Sequence, residues 1–364
     1  MQNTLKKSEN IETVVNAKKL LDFIRLAKKA NKGERLQTIH FKRLFGLLQV
    51  VVANRTIQVL QEFTVTPGGE GKNCTVEMRV LEAMLKTYKK ESINLTWNNS
   101  VLTIISEKGN INTIANQVDV IFFPQVIDLD TLVKYPIDGL SFLKGLEMSG
   151  YVVEEESPRN YGTVLCFDNS KDNYSTLVGT DGYRLAFSKF DKIVDMPNIC
   201  LSKKAIDAIA YGFAGDLEFY LDSSNTTAFF VQGDIRLSVR LSNVNYPKYE
   251  RVIPACLMVI TVNRMELLNF VERALLFSDK SKAVKFKIDN NILYVGELKT
   301  DQRIKLSHSV KPREFSLNGK FVTDCLKTYK NETITIGFAQ NNDAPVSFIL
   351  GENRTVIVPI QENK

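Results

Sequence analysis

Histidine is almost missing from this chain: His40 and His308 are the only two among 364 residues. Two distant histidines supply no HExxH pattern and no His/Cys cluster with metal-ligating spacing. Cysteine is equally sparse. Cys74, Cys166, Cys200, Cys256 and Cys325 are scattered, odd in number and free of any CxxC pair. That pattern argues against a disulfide scaffold or a zinc site and fits reduced thiols. No apolar run reaches 18 residues, so no transmembrane helix is expected. The opening MQNTLKKSENIETVV has no apolar core of the signal-peptide kind, and a cytoplasmic protein is expected.

Enzyme motifs are missing as well. No GxSxG occurs. PGGEGKN (67–73) lacks both the upstream Gly and the following Ser/Thr of a phosphate loop, and reads as a hairpin tip. VEEESPR (153–159) gathers three acids and reads as a solvated helix end. A rival reading makes Glu154 and Glu155 the metal ligands of a nuclease. No catalytic residue, cofactor or metal is expected.

The chain does contain a repeat. LKTYKKESINLTW (85–97) and LKTYKNETITIGF (326–338) share their first five residues and their apolar alternation. LSKKAIDAIA (201–210) carries the same apolar pattern as the stretches leading into both. Each copy reads as an amphipathic helix followed by a strand. Each is also preceded by another helix, at 17–31, 139–153 and 263–277. Alternating strands such as TIQVLQEFTVTPGG (56–69) and KFKIDNNILYVGEL (285–298) lie between. Three α+β domains of one design follow, with helices on one face of antiparallel sheets, at 14–127, 137–254 and 259–361.

Charge is mildly basic, 47 Lys and Arg against 41 Asp and Glu. The excess collects on helices: Arg25, Lys28, Lys29 and Lys32, then Lys86 and Lys90, then Lys203 and Lys204, then Lys327. Lys and Arg without interleaved aromatics suit a phosphate backbone rather than bases. In TDGYRLA (180–186), Asp-Gly marks a hairpin turn that places Tyr183 and Arg184 at a corner, pointing outward.

At this point the chain resembles the bacterial sliding clamps, the beta subunits of the replicative DNA polymerase III. TDGYRLA (180–186), NYPKYERVIP (245–254) and VIVPI (356–360) carry the likeness, in the family's order and at its distances. The resemblance implies a homodimeric ring of six like domains that surrounds duplex DNA without sequence preference. It implies as partners the polymerase III alpha subunit, a clamp loader and other proteins bearing a short clamp-binding motif. That motif would dock against Thr180, Gly182, Tyr183, Arg184, Leu185, Pro247, Arg251, Val252, Val356, Val358, Pro359 and Ile360. The resemblance adds Arg159 and Tyr161 as DNA contacts. It places Ile111 against Leu276 and Phe277 at the ring interface. Three departures stand out. Gly162 replaces a family Leu and implies a shallower pocket or a different preferred motif, Tyr183 replaces a His, and the net charge is basic. They motivate a variant reading, an accessory or replicon-encoded clamp with its own partners.

Overall fold

The structure, a computed structural model, describes residues 13–31, 38–67, 73–88, 91–116, 124–296 and 302–361. Its element order repeats three times. First come β1 (Thr13–Asn16), α1 (Ala17–Ala30), β2 (Thr38–Leu44), β3 (Leu47–Ala53), β4 (Ile57–Thr64), β5 (Cys74–Glu77), α2 (Met78–Tyr88), β6 (Ser92–Trp97), β7 (Val101–Ser106) and β8 (Ile111–Ala115). The same order returns as β9 (Val133–Tyr135), α3 (Gly139–Gly150), β10 (Val164–Asp168), β11 (Tyr174–Thr180), β12 (Arg184–Asp191), β13 (Ile199–Ser202), α4 (Lys203–Gly212), β14 (Glu218–Leu221), β15 (Thr227–Gln232) and β16 (Ile235–Arg240). It ends as β17 (Met258–Asn263), α5 (Arg264–Leu275), β18 (Ala283–Asp289), β19 (Ile292–Val295), β20 (Arg303–Lys305), β21 (Arg313–Asn318), α6 (Gly319–Thr328), β22 (Thr333–Phe338), β23 (Val346–Leu350) and β24 (Asn353–Ile357).

The first helix of each repeat starts for the same reason. Asn16, Asp138 and Asn263 stand at its N-cap in extended conformation, and each side chain accepts a hydrogen bond from a backbone N–H of the first turn. Apolar residues three and four apart then turn one face inward, as with Leu20, Leu21, Ile24 and Ala27 of α1.

The sheets do not respect the repeats. One eight-stranded sheet has the order β5-β2-β3-β4-β16-β15-β14-β9, and the other β13-β10-β11-β12-β24-β23-β22-β17. Each fuses half of one repeat to half of the next, through β4 with β16 and β12 with β24, both antiparallel. Two half-sheets remain, β1-β6-β7-β8 and β20-β19-β18-β21. The chain consequently forms two compact units, Met1–Ile137 with Asp207–Arg240 and Asp138–Ile206 with Leu241–Lys364. The cut runs through the second repeat, so the unit of sequence repetition differs from the unit of packing.

Both junctions are pinned alike. Arg236 on β16 donates to the Ile127 carbonyl of the linker after β8. Arg354 on β24 donates to the Pro254 carbonyl of the linker after β16, at 3.1 Å. In the first unit a cleft of about 530 Å³ adjoins that contact, lined by Lys42, Gln49, Glu62, Val126 and Arg236 among others.

His40 is buried on β2, its Nδ1 3.0 Å from Thr75 Oγ1. Burial disfavours the charged ring and lowers its pKa from 6.5 to about 4. The unfolded chain binds a proton at the higher pH, so the stabilisation is complete above about 6.5 and drains as pH falls towards 4. The loss is about 3 kcal/mol. Urea unfolding across that window should show it, and His40→Gln should flatten the slope there. An unchanged slope in the variant would assign the loss to other groups.

Candidate functional site

The TDGYRLA stretch forms the corner between β11 and β12, with Thr180 opposite Leu185. Asp181 organises it. Its Oδ1 accepts from the Tyr183 and Arg184 amides, each at 2.9 Å. Thr180 Oγ1 donates to the Arg184 carbonyl at 2.7 Å and accepts from the Gly182 amide at 3.0 Å. Gly182 has φ +92°, a conformation that glycine adopts freely. Its missing side chain also makes room: a methyl group there would sit 1.6 Å from a guanidinium nitrogen of Arg159. Arg159 lies on the Tyr183 ring, 5.6 Å from its centroid.

Tyr183 is 63% exposed, as expected of an outward corner residue, but Arg184 is buried at 7%. The outward reading of Arg184 is therefore corrected. Successive strand residues face opposite sides of a sheet, so Arg184 and Leu185 cannot share one. Arg184 lies 4.3 Å from the Phe321 ring centroid and 5.7 Å from that of Tyr151. Its Nε donates to Asp181 Oδ2 and its Nη1 to Asp324 Oδ2, both at 2.9 Å. Burial alone would lower its pKa, but the Asp324 and Asp181 carboxylates outweigh that and raise it. Lys320 holds the other oxygen of Asp324.

On the opposite face, buried Leu185 and Val356 sit opposite one another across the β12–β24 junction. They join Val164, Cys166, Val178, Phe187, Cys200 and Tyr249 in one apolar cluster, with Val244, Tyr246 and Ile253 packed against it. Tyr246 donates to the Val178 carbonyl at 3.0 Å and Tyr249 to Asp168 Oδ2 at 2.9 Å. These bonds seat the segment holding half-buried Pro247, exposed Arg251 and Val252, which is 52% exposed. The tail closes the other side. The Val358 amide donates to the Tyr183 carbonyl at 3.0 Å, and the Ile360 amide to Ser316 at 2.8 Å. Val358 is exposed, and Pro359 and Ile360 are half-buried. The result is an exposed apolar surface of Tyr183, Val252 and Val358 over a buried floor.

Sequence reasoning named Leu185 and Val356 but missed the rest of that floor, together with Asp324, Phe321 and Tyr151 around Arg184. Strict alternation along RLAFS was the available signal. Gly162 also reads differently in place. It is buried, and a side chain there would meet Ser157 Oγ at 2.5 Å, so Ser157 occupies the space that a larger residue would take. Arg159, expected at DNA, packs on this same corner, and Tyr161 is half-buried in the adjoining 3-10 turn. Glu154, Glu155 and Glu156 are exposed in the loop after α3, not on a helix end.

The basic residues are distributed less simply than expected. Arg25 pairs with Asp22 at 2.8 Å. Lys28 of α1 and Lys86 of α2 share buried Glu82, each at 2.9 Å, and hold its carboxyl below the usual range. Lys327 of α6 pairs with Glu272 of α5 at 2.7 Å, which raises the Lys327 pKa. Lys29 is exposed with no carboxylate partner among the described residues. Lys203 and Lys204 are half-buried at the start of α4. Lys32 and Lys90 lie outside the described residues. Among the large apolar side chains described, Phe277 and Leu276 are the most exposed, at 81% and 79%, and Ile111 on β8 is 66% exposed. No helix among the described residues is long and apolar enough to cross a membrane.

Replacing Arg184 with Met leaves buried Asp181 without its cation and Asp324 with Lys320 alone. It should cost about 3–5 kcal/mol in denaturant unfolding. Gly182→Ala should cost about 1–2 kcal/mol through its positive φ, and more through the Arg159 collision. Arg159→Ala in the same chain should recover the second part alone. Full additivity of the two substitutions would refute the collision.

No family model matches the chain. The beta sliding clamp of Buchnera aphidicola subsp. Rhopalosiphum padi is 21% identical over 303 residues, 80% of this chain and 82% of that protein. The DNA polymerase III subunit beta from Pseudomonas aeruginosa superimposes with a TM-score of 0.85 at 15% identity, over 97% of this chain and all of that one. The Helicobacter pylori beta clamp bound to a DNA ligase peptide gives a TM-score of 0.79 at 18% identity, over 96% of this chain and all of that one. The chain is similar to the beta sliding clamps and has their fold along nearly its whole length.

Proposed function

We propose that this chain is a sliding clamp: two copies close into a ring around duplex DNA, and partner proteins dock on its surface. The observation that carries the reading is the pair of half-sheets. Within the chain, repeats fuse by joining the fourth strand of one half-sheet to the last strand of the next repeat, as β4 joins β16 and β12 joins β24. By position in the repeat, and among the described residues, β20 is a fourth strand without its partner and β8 a last strand without its partner. A second copy supplies both. Ile111 lies on β8, and Leu276 and Phe277 follow α5 in the repeat that holds β20, so apolar side chains flank each new junction.

Inside the ring, the cations of α1, α2, α4 and α6 meet phosphates. α1 leads, with five Lys or Arg against one Asp. Shared carboxylates such as Glu82 keep the attraction modest, and a ring that leaves DNA only by opening or at an end needs no tight grip. Weak, sequence-independent phosphate contact permits sliding. On the outside, the surface of Tyr183, Val252 and Val358 suits a short, mostly apolar peptide, with Arg159 and Arg251 beside it. The Helicobacter pylori clamp bound to a DNA ligase peptide supports that use. A polymerase alpha subunit and a clamp loader complete the partner set. The reading gives this chain no bond-making step.

Two chains of 41.2 kDa set the expected native mass. Light scattering should give twice that value, and negative-stain images should show a central hole. Leu276→Glu with Phe277→Glu should release monomers. Loaded protein should stay on circular DNA and be lost from the same DNA once linearised, at a salt concentration that abolishes simple phosphate binding. Equal retention on both forms would overturn the clamp.

A further inference from the structure

Of the five cysteines, two face one another. Cys166 on β10 stands directly opposite Cys200 on β13 in an antiparallel ladder. Opposed residues in such a ladder have Cα atoms roughly 4.5–5.5 Å apart, inside the roughly 4.4–6.8 Å span that a disulfide bridges. Opposed residues also share a face of the sheet, and both side chains belong to the buried cluster beneath Leu185 and Val356. The two thiols face each other within that cluster. The remaining thiols lie elsewhere, on β5, in the second linker and on α6.

We propose that Cys166 and Cys200 form a disulfide site, a cross-strand bond that closes reversibly and ties β13 to the sheet. The first repeat shows what the position is built to hold. Counting back from the start of α2 and of α4, the equivalent pair is His40 opposite Thr75, hydrogen-bonded at 3.0 Å. A hydrogen-bonded polar pair in one repeat is replaced by a facing thiol pair in the next.

Access comes through β13. It is four residues long and forms the edge of its eight-stranded sheet. Short edge strands open with less disruption than central ones. Cys200, on that edge strand, is the first nucleophile. The neighbouring Cys166 thiol lowers its pKa against the opposing effect of burial, whereas the neighbouring Cys200 thiol and burial push Cys166 up. With glutathione disulfide as oxidant, the Cys200 thiolate attacks one glutathione sulfur and expels a glutathione thiolate. The Cys166 thiolate then attacks the Cys200 sulfur and expels the second. Two protein thiols become one disulfide, one glutathione disulfide becomes two glutathiones, and the two cysteine protons end on them. The bond does not depend on the function proposed above; its consequence for docking does, since it fixes the floor of that surface.

The test uses the full-length protein, incubated with glutathione disulfide or with dithiothreitol, then denatured, alkylated and mapped by mass spectrometry. The expected product is a linked Cys166–Cys200 peptide, reversed by dithiothreitol, with Cys74, Cys256 and Cys325 still alkylated. Cys166→Ala should stop the reaction at glutathione on Cys200, and Cys200→Ala should leave Cys166 unmodified. If either variant folds poorly, the wild-type map decides by itself. Free alkylation of both residues after oxidation, or linkage to another cysteine, would overturn the site.

Discussion

The antiparallel ladder between β12 and β24 is the constraint on which the candidate site rests. It pairs Arg184 with Ile357 and Leu185 with Val356, residues from different repeats. Because a sheet alternates faces, one ladder position serves two purposes. Leu185 and Val356 turn to the apolar cluster that floors the candidate site. Arg184 turns the other way, to Phe321, Tyr151 and Asp324. The tail continues from the same ladder, since the Val358 amide bonds to Tyr183 directly after the last paired residue. A register slip of one residue would exchange these faces, putting a guanidinium in the apolar floor and a leucine beside two carboxylates.

Burying Arg184 runs against a large desolvation cost, and the geometry shows how it is offset. Two carboxylates accept from separate nitrogens at 2.9 Å, and an aromatic ring lies 4.3 Å away. A buried pair with complete hydrogen bonding is close to neutral for stability, whereas a broken one is costly. The arrangement thus holds the corner in one shape more than it deepens the folding minimum. That matters for Tyr183, whose amide is held by the same Asp181 carboxylate. The exposed ring is presented by a turn whose charges are buried behind it.

Local features of this fold were legible in the sequence, and long-range ones were not. The helices announced themselves through their amphipathic apolar patterning, and the hairpin through Asp181-Gly182. The repeated LKTYK located equivalent helix ends at Lys86 and Lys327. The fusion of repeats into shared sheets left no local trace. It joins residues as distant as Arg184 and Ile357, and nothing in either strand names the other. The same distance hid Asp324 as the partner of Arg184. The inward turn of Arg184 was legible, because alternation with Leu185 and Phe187 required it, but a charged residue at a corner invites the opposite inference. Charge was misjudged for a related reason. Lysines counted along helices looked additive, yet Lys28 and Lys86 meet over Glu82 from different helices.

Joining repeats through strand edges has a consequence that no single chain escapes. Three repeats make two junctions and leave one half-sheet over at each end. Such edges invite pairing with other chains, and proteins ordinarily blunt them with charge, proline or cover. Here β20 is only three residues long, with Arg303 and Lys305 exposed on either side of buried Ile304. A ladder that short supplies few hydrogen bonds, too few to hold two chains by backbone pairing alone. The exposed Leu276, Phe277 and Ile111 then have a reason to be where they are. In the proposed ring, apolar burial provides the affinity and the short ladder provides the register. A closure built that way is specific and still able to open, as a ring that must admit DNA requires.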